Sequence, residues 1–322
     1  MTKWLPSAPH IPSRILLGSV YFGTEVAREA SFAVMDAYFE SGGNFIDTAV
    51  GYALWLPGGD GASESTIGEW LRSRGLRDRI IVATKGGHPR GDSGEFGDLS
   101  RAEIEKDLGL SLERLGAEYI DLYWLHRDQP TRPVSEIMEM LADIRSSGRI
   151  RAYGASNWET ERIDAANAYA QAHDLPPLVA SQLPFSLAHV ADGPNATSPV
   201  SESADPLRAW HVTTRLPLVA YTSQASGYFG AENVAWARDG FSGDPARGRS
   251  FDSPANRRRL LQAIELAEQK GCTANQVALA YLLSQPFTIH PIIGTGNPDH
   301  AREALAAAEI ALTPEEITFL LT

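Results

Sequence analysis

Four residues of different chemistry sit just past apolar runs of this chain. Asp47 and Tyr52 close the stretch Asn44-Phe-Ile-Asp-Thr-Ala-Val-Gly-Tyr52, Lys85 ends the run Ile80–Lys85, and His126 ends Tyr119–His126. A phenol, an ammonium, a carboxylate and an imidazole can together deliver a proton to an oxygen while a hydride reaches the adjoining carbon. A free phenol titrates near ~10, too high for two-way proton exchange at neutral pH. A neighbouring ammonium favours the phenolate and lowers that value. Lys85 would be that ammonium, with Asp47 the counter-charge that keeps a buried amine protonated. His126 would orient and polarise a carbonyl oxygen through a ring N–H. Singly, each has an ordinary reading: a packed tyrosine, a solvated lysine, a satisfied core histidine, a turn-capping aspartate. Their shared place at one end of strand-like runs favours chemistry.

The elements that must hold these side chains follow from patterning. Strands are expected over Ile15–Val20, Asn44–Thr48, Ile80–Lys85, Tyr119–His126, Ile150–Ser156, Leu178–Gln182, Leu218–Tyr221 and Thr288–Gly294. Most are nearly continuous in apolar residues, as in strands covered on both faces. Amphipathic runs predict helices over Glu29–Glu40, Ser63–Arg74, Arg101–Leu115, Val134–Ser147, Thr160–His173, Pro254 to Gly271, Thr273 to Ser284, Pro298–Ala308 and Pro314–Leu321. Capping boxes are read at Ser100, Thr273 and Thr313. Alternating strands and helices predict parallel pairing, and eight such units point to one (β/α)8 TIM barrel domain spanning residues 1–322. An open dinucleotide-binding sheet would carry Gly-x-Gly-x-x-Gly after its first strand; Gly18-Ser-Val-Tyr-Phe-Gly23 does not have that spacing. Long loops fall at about Tyr52–Gly61, Gly86–Leu99, Phe185–Ser201 and Thr222–Ser253, all on the C-terminal rim of such a barrel. Trp55, Phe96, Phe185, Tyr228, Phe229, Trp236 and Phe241 lie in these loops, to pack them or to wall a pocket.

Composition excludes several classes. A net charge of −12 disfavours broad nucleic-acid binding. With Cys272 the only cysteine, no internal disulfide forms. The N-terminus has no basic region followed by an apolar stretch, and no run approaches ~18 apolar residues; a cytoplasmic chain without a membrane span is expected. The sequon Asn195-Ala196-Thr197 reads as a polar loop. A metal-dependent barrel using His126, Asp128 and His88 lacks the ligand spacing such sites show, so no metal is expected.

Taken together, Asn44 to Tyr52, Ala83-Thr-Lys85, Tyr119 to His126, Tyr153-Gly-Ala-Ser-Asn157 and Ile292-Ile-Gly294 resemble the aldo-keto reductase family, over nearly the whole chain. The resemblance implies a barrel that binds a nicotinamide cofactor without a Rossmann domain. It implies the tetrad Asp47, Tyr52, Lys85 and His126, with Tyr52 as acid/base and an aldehyde or ketone, sugar-derived ones included, as small-molecule substrate. By the same matching, Ser156, Asn157 and Gln182 hold the nicotinamide carboxamide and Tyr221 stacks on its ring. Gly18, Ser19 and Val20 lie under its ribose, Asp47 also counts among the cofactor-binding residues, and Thr222, Ser223, Gln224, Ala225 and Ser226 face the pyrophosphate. Relatives often have proline, then Leu or Gly, where Ser223 and Gln224 stand. At the 2′-phosphate end come Gly294, Thr295, Gly296, Asn297 and His300, with Glu303 near the adenine. Many relatives place Lys at the first of these and Arg where His300 stands; Arg247 or Arg249 could reach over instead. The family's habit favours NADP(H) over NAD(H). Tyr21, Phe22, Trp55, Trp124 and Trp158 are substrate-pocket candidates, Trp124 pointing either to the pocket or into the helix layer. The loops look closest to bacterial general or sugar-directed reductases. A cofactor-sensing subunit with little turnover is the second reading, and it requires an exposed apolar patch for its partner.

Overall fold

The structure, a computed structural model, describes Leu5, Ala8 and residues 10–89, 96–189 and 206–322. The sequon at Asn195 and parts of the Gly86–Leu99 and Phe185–Ser201 loops lie outside the described residues. Eight strands follow one another in chain order around a closed barrel: β1 (Leu16–Gly18), β2 (Phe45–Asp47), β3 (Ile81–Gly86), β4 (Leu122–Leu125), β5 (Tyr153–Ser156), β6 (Ser181–Pro184), β7 (Leu218–Tyr221) and β8 (Ile289–Ile293). The chain divides into two compact units, residues 1–182 with 295–298, and residues 183–294 with 299–322.

The first unit carries α1 (Arg28–Glu40), α2 (Ala62–Arg74), α3 (Arg101–Leu115), α4 (Val134–Ser146) and α5 (Thr160–Ala172) between its strands. Its strands pair in parallel, with Asp47 opposite Ala83 and Lys85 opposite Trp124. Every residue of β2, β3, β4 and β5 is buried, which explains their apolar continuity. The strands are shorter than the apolar runs. Asp121, inside the run Tyr119–His126, donates its N–H to the Val82 carbonyl (3.1 Å), but its carboxylate takes the Val82 N–H (3.0 Å) in place of a backbone carbonyl and also meets Arg77 (2.9 Å) and Arg151 (3.0 Å). Glycines Gly75 and Gly116 end α2 and α3 in the left-handed conformation. The capping box at Ser100 is half formed. Its hydroxyl accepts from Glu103 N–H, but its own N–H is taken by Asp98 (2.8 Å), so Glu103 turns to Lys106 instead (3.1 Å).

The second unit holds α6 (Pro206–Thr214), α7 (Ala231–Arg238), α8 (Pro254–Lys270), α9 (Ala274–Leu283), α10 (Pro298–Ala306, all but its first residue) and α11 (Pro314–Leu321). Capping boxes form fully at Thr273 and Thr313. Two of its helices were not expected. α6 buries His211, and α7 buries Asn233, Trp236 and Ala237 inside what reads as the loop Thr222–Ser253. Both are short, so packing rather than propensity holds them. Phe185, Tyr228, Phe229 and Trp236 belong to the hydrophobic core of this unit, with Phe241 packed against it.

Candidate active site

Three of the four chemistry-bearing residues form one hydrogen-bonded cluster in the first unit. Lys85, on β3, is buried and donates to Asp47 Oδ2, to the Thr48 carbonyl (2.8 Å) and to the Tyr52 hydroxyl (2.6 Å). An ammonium has three N–H bonds, so all are committed. Tyr52 lies 3.4 Å from Asp47 Oδ2, and the Lys85 nitrogen stands 4.5 Å from the phenol ring centroid. Burial pushes the Lys85 amine below its usual range, and Asp47 beside it works in the opposite direction. Asp47 also accepts from Trp124 Nε1 (3.1 Å) and Gln182 Nε2 (3.0 Å) on Oδ1. The carboxylate that holds the lysine is thus itself fixed from β4 and β6.

His126 follows β4, its ring 6.1 Å from that of Tyr52 and edge-on to His88 at 4.7 Å. Desolvation, with Lys85 adding to it, holds its imidazole well below the usual range, so the ring is neutral near pH 7. Its Nδ1 is buried without a hydrogen-bond partner. A neutral imidazole carries one N–H, the arrangement that hydrogen-bonds an oxygen without giving up its proton.

Behind β3 lies an acid that composition and spacing did not single out. Glu64, on α2, is buried, accepts from Thr84 Oγ1 (2.7 Å) and lies 3.5 Å from Arg114 Nη1. Burial pushes its carboxyl up, against hydrogen bonds that lower it. The one legible signal was a glutamate at the start of a helix that opens just past the Tyr52 loop.

The other expected site residues are placed as follows. Ser156 donates to the Gln182 carbonyl (3.1 Å), and Asn157 Nδ2 to the His126 carbonyl (3.1 Å) and Ser156 Oγ (2.9 Å). Asn157 has φ of 60°. Ser19, after Gly18 at the end of β1, donates to the Asp47 carbonyl (2.9 Å), with partly buried Val20 beside it. Trp124 turns its indole N–H to Asp47, which decides its direction: it faces the carboxylate rather than the helix layer. Phe22 and Trp158 are buried, whereas Tyr21 (42%) and Trp55 (59%) are exposed, as is Phe96 (47%).

In the second unit, partly buried Tyr221 ends β7 and its carbonyl accepts from Phe185 N–H (3.2 Å). The turn that follows places Thr222, Ala225 and Ser226 at φ of 52°, 48° and 53°, a sparsely populated region that collects at functional sites. Ser223 donates to the Ile292 carbonyl (2.6 Å), and Gln224 Oε1 accepts from Gly294 N–H (3.1 Å). The residues that differ from the family's usual choice thus tie this turn to the end of β8. In residues 295–298, which belong to the first unit, Asn297 N–H donates to Thr295 Oγ1 (3.0 Å) and Gly296 is exposed; in the second unit His300 is exposed. Glu303 accepts from Thr273 (2.7 Å). Arg247 and Arg249 are exposed, the first 3.9 Å from Glu232 and the second 2.7 Å from Asp244. Among the described residues no group of His, Cys, Asp or Glu is arranged to hold a metal ion, and no helix is long and apolar enough to cross a membrane.

The chain is similar to known proteins over nearly its whole length. The model of the aldo/keto reductase family matches residues 14–320. Norsolorinic acid reductase B of Aspergillus parasiticus is 30% identical over 97% of this chain and 81% of its own. The aryl-alcohol dehydrogenase [NADP(+)] of Phanerodontia chrysosporium is 29% identical over 91% of this chain and 75% of its own. A crystal structure of aldo-keto reductase from Klebsiella pneumoniae in complex with NADPH superposes with a TM-score of 0.70 at 25% identity, covering 96% of this chain and 90% of that one. The chain therefore belongs to the aldo/keto reductase family, oxidoreductases of carbonyl compounds.

Proposed function

We propose that this chain is an NADP(H)-dependent carbonyl reductase, acting as one domain, with Tyr52 as its general acid/base and an aryl aldehyde or ketone as substrate. The observation that supports it best is the buried Lys85 ammonium, which donates to the Tyr52 oxygen at 2.6 Å while paired with Asp47. NADPH, when bound, supplies the hydride. The residues fit such a cofactor: Asn157 and Gln182 carry amide side chains of the kind that pair with a carboxamide, and the unpartnered Nδ1 of His126 leaves polar capacity within the tetrad itself. The remaining assignments from Gly18 to Glu303 rest on the family resemblance.

As the carbonyl carbon gains hydride, Tyr52 gives its proton to the carbonyl oxygen. The phenolate left behind lies against Lys85, whose charge favours it over the phenol. His126, neutral, orients the oxygen by donating to it and keeps its own proton. The exposed rings of Tyr21, Trp55 and Phe96 in the loops of the first unit suit a flat aromatic substrate. The name of the Phanerodontia relative, an aryl-alcohol dehydrogenase, points the same way.

Binding of NADPH and NADH, read by quenching of tryptophan fluorescence, and turnover over a panel of aryl aldehydes and keto-sugars test the proposal. NADPH should bind more tightly, and aryl aldehydes should give the higher kcat/KM. Turnover confined to keto-sugars would overturn the substrate class, and cofactor binding without turnover of any carbonyl would make the chain a cofactor sensor.

A further inference from the structure

The loop that carries Tyr52 is held from outside the tetrad by one side chain. Arg114, near the end of α3, donates from Nη1 to the Val50 carbonyl (3.3 Å) and from Nη2 to Asp60 Oδ1 (2.8 Å), and lies 3.5 Å from Glu64 Oε2. Val50 stands two residues before Tyr52, and Asp60 and Glu64 stand where the loop runs into α2. One guanidinium therefore joins both ends of the loop. Val50 also gives its own N–H to the Lys85 carbonyl (3.1 Å), and Glu64 accepts from Thr84, the residue before Lys85. The strand bearing the ammonium and the loop bearing the phenol are tied to one planar, multidentate group. Two glycines make room, Gly61 for the Arg114 side chain and Gly68 for its backbone. A Cβ at Gly61 would fall 2.4 Å from Arg114 Nε, and one at Gly68 would fall 2.6 Å from the Arg114 carbonyl.

We infer that Arg114 is a positioning residue for the reaction: by clamping both ends of the loop 50–61 it holds the Tyr52 hydroxyl at hydrogen-bond distance from Lys85. The inference rests on the reading of Tyr52 as the acid. Loosening the clamp leaves the tetrad residues in place but widens the spread of phenol positions, so it lowers the chemical step rather than binding.

Steady-state kinetics with NADPH and nitrobenzaldehyde, on Arg114→Met, Arg114→Lys and Tyr52→Phe, test this. Arg114→Met should lower kcat by ~10–100-fold with KM and the NADPH dissociation constant within about twofold. Arg114→Lys, which keeps the charge but not the fork, should recover part of that loss. Added to Tyr52→Phe, Arg114→Met should change nothing further. If Arg114→Met fails to fold, Asp60→Asn on the exposed end of the clamp serves, with an expected kcat loss of about twofold to fivefold. Tyr52→Phe inactive with Arg114→Met at parental kcat would overturn the clamp alone. Tyr52→Phe fully active would overturn the acid assignment, and the clamp with it. A loss of kcat accompanied by an equal loss of cofactor binding would make Arg114 merely structural.

Discussion

The loop after β2 and the loop after β7 look alike as sequence: both are long, both carry aromatic residues, and both follow a strand end with polar chemistry. Their structures differ. In the first, Trp55 and Leu54 are exposed, and polar bonds at the two ends do the holding, with Arg114 reaching Val50 and Asp60. In the second, Tyr228, Phe229 and Trp236 pack into the core of their unit. Asn233 clips that loop across its middle, donating to the carbonyls of Tyr228 (3.0 Å) and Arg247 (2.8 Å). Aromatic content does not tell a pocket wall from a small core. What tells them apart is whether the loop folds back over its own helix, as the second does with α7.

That contrast makes tests of different size. The largest effect should come from Tyr52→Phe, which removes the hydroxyl proposed as the proton donor. Turnover should fall by about 10²–10⁴-fold with cofactor binding nearly intact, as single-turnover and quenching measurements would read. Next is Tyr228→Ala, which empties a fully buried ring site in the β7 loop; it should cost about 3–5 kcal/mol in denaturant unfolding while leaving KM for the carbonyl unchanged. A pH effect of similar kind comes from α6. His211 is buried, bonds the Leu216 carbonyl (2.7 Å) and stacks on Phe287, and desolvation lowers its imidazole to about 4. The unfolded chain then binds the proton more tightly than the folded one. Stability should be full above about pH 6.5 and fall as pH drops towards 4, by about 3 kcal/mol from this group, measured as the pH dependence of the unfolding midpoint. A His211→Gln chain should lose that slope. The smallest effect is Trp55→Ala. Stability should stay within about 0.5 kcal/mol, while KM for aryl aldehydes rises a few-fold and that for small aliphatic ones does not. If instead Trp55→Ala unfolded the protein and Tyr228→Ala only raised KM, the contrast between the loops would be reversed.

Much of the barrel could be read from the chain because continuous apolar runs and glycine or capping-box stops are local signals; Thr273 and Thr313 cap their helices as the pattern predicts. The helices α6 and α7 were hidden because they are short and their stability lies in buried contacts rather than propensity. Strand ends were overdrawn where a side chain such as Asp121 competes for ladder N–H groups. Within the candidate site, Asp47, Tyr52 and Lys85 stood out because each closes an apolar run. Glu64 and Arg114 did not: the guanidinium meets a carbonyl 64 positions away, a pairing that only the crossing of α2 and α3 creates. The stretch from Gly294 to His300 lacks the strong cations seen in many relatives, and nothing local in its sequence announces a replacement.

The saturated state of Lys85 has a consequence for how the enzyme resets. With its hydrogens spent on a carboxylate, a peptide oxygen and the phenol, and its side chain sealed from water, this amine cannot swing outward to fetch a new one. If Tyr52 spends its proton as proposed, the donor that recharges it would have to come to the phenol, since the lysine cannot leave to collect one. Resetting would then depend on access to the Tyr52 hydroxyl, and a slow-leaving alcohol beside that hydroxyl would delay the next proton.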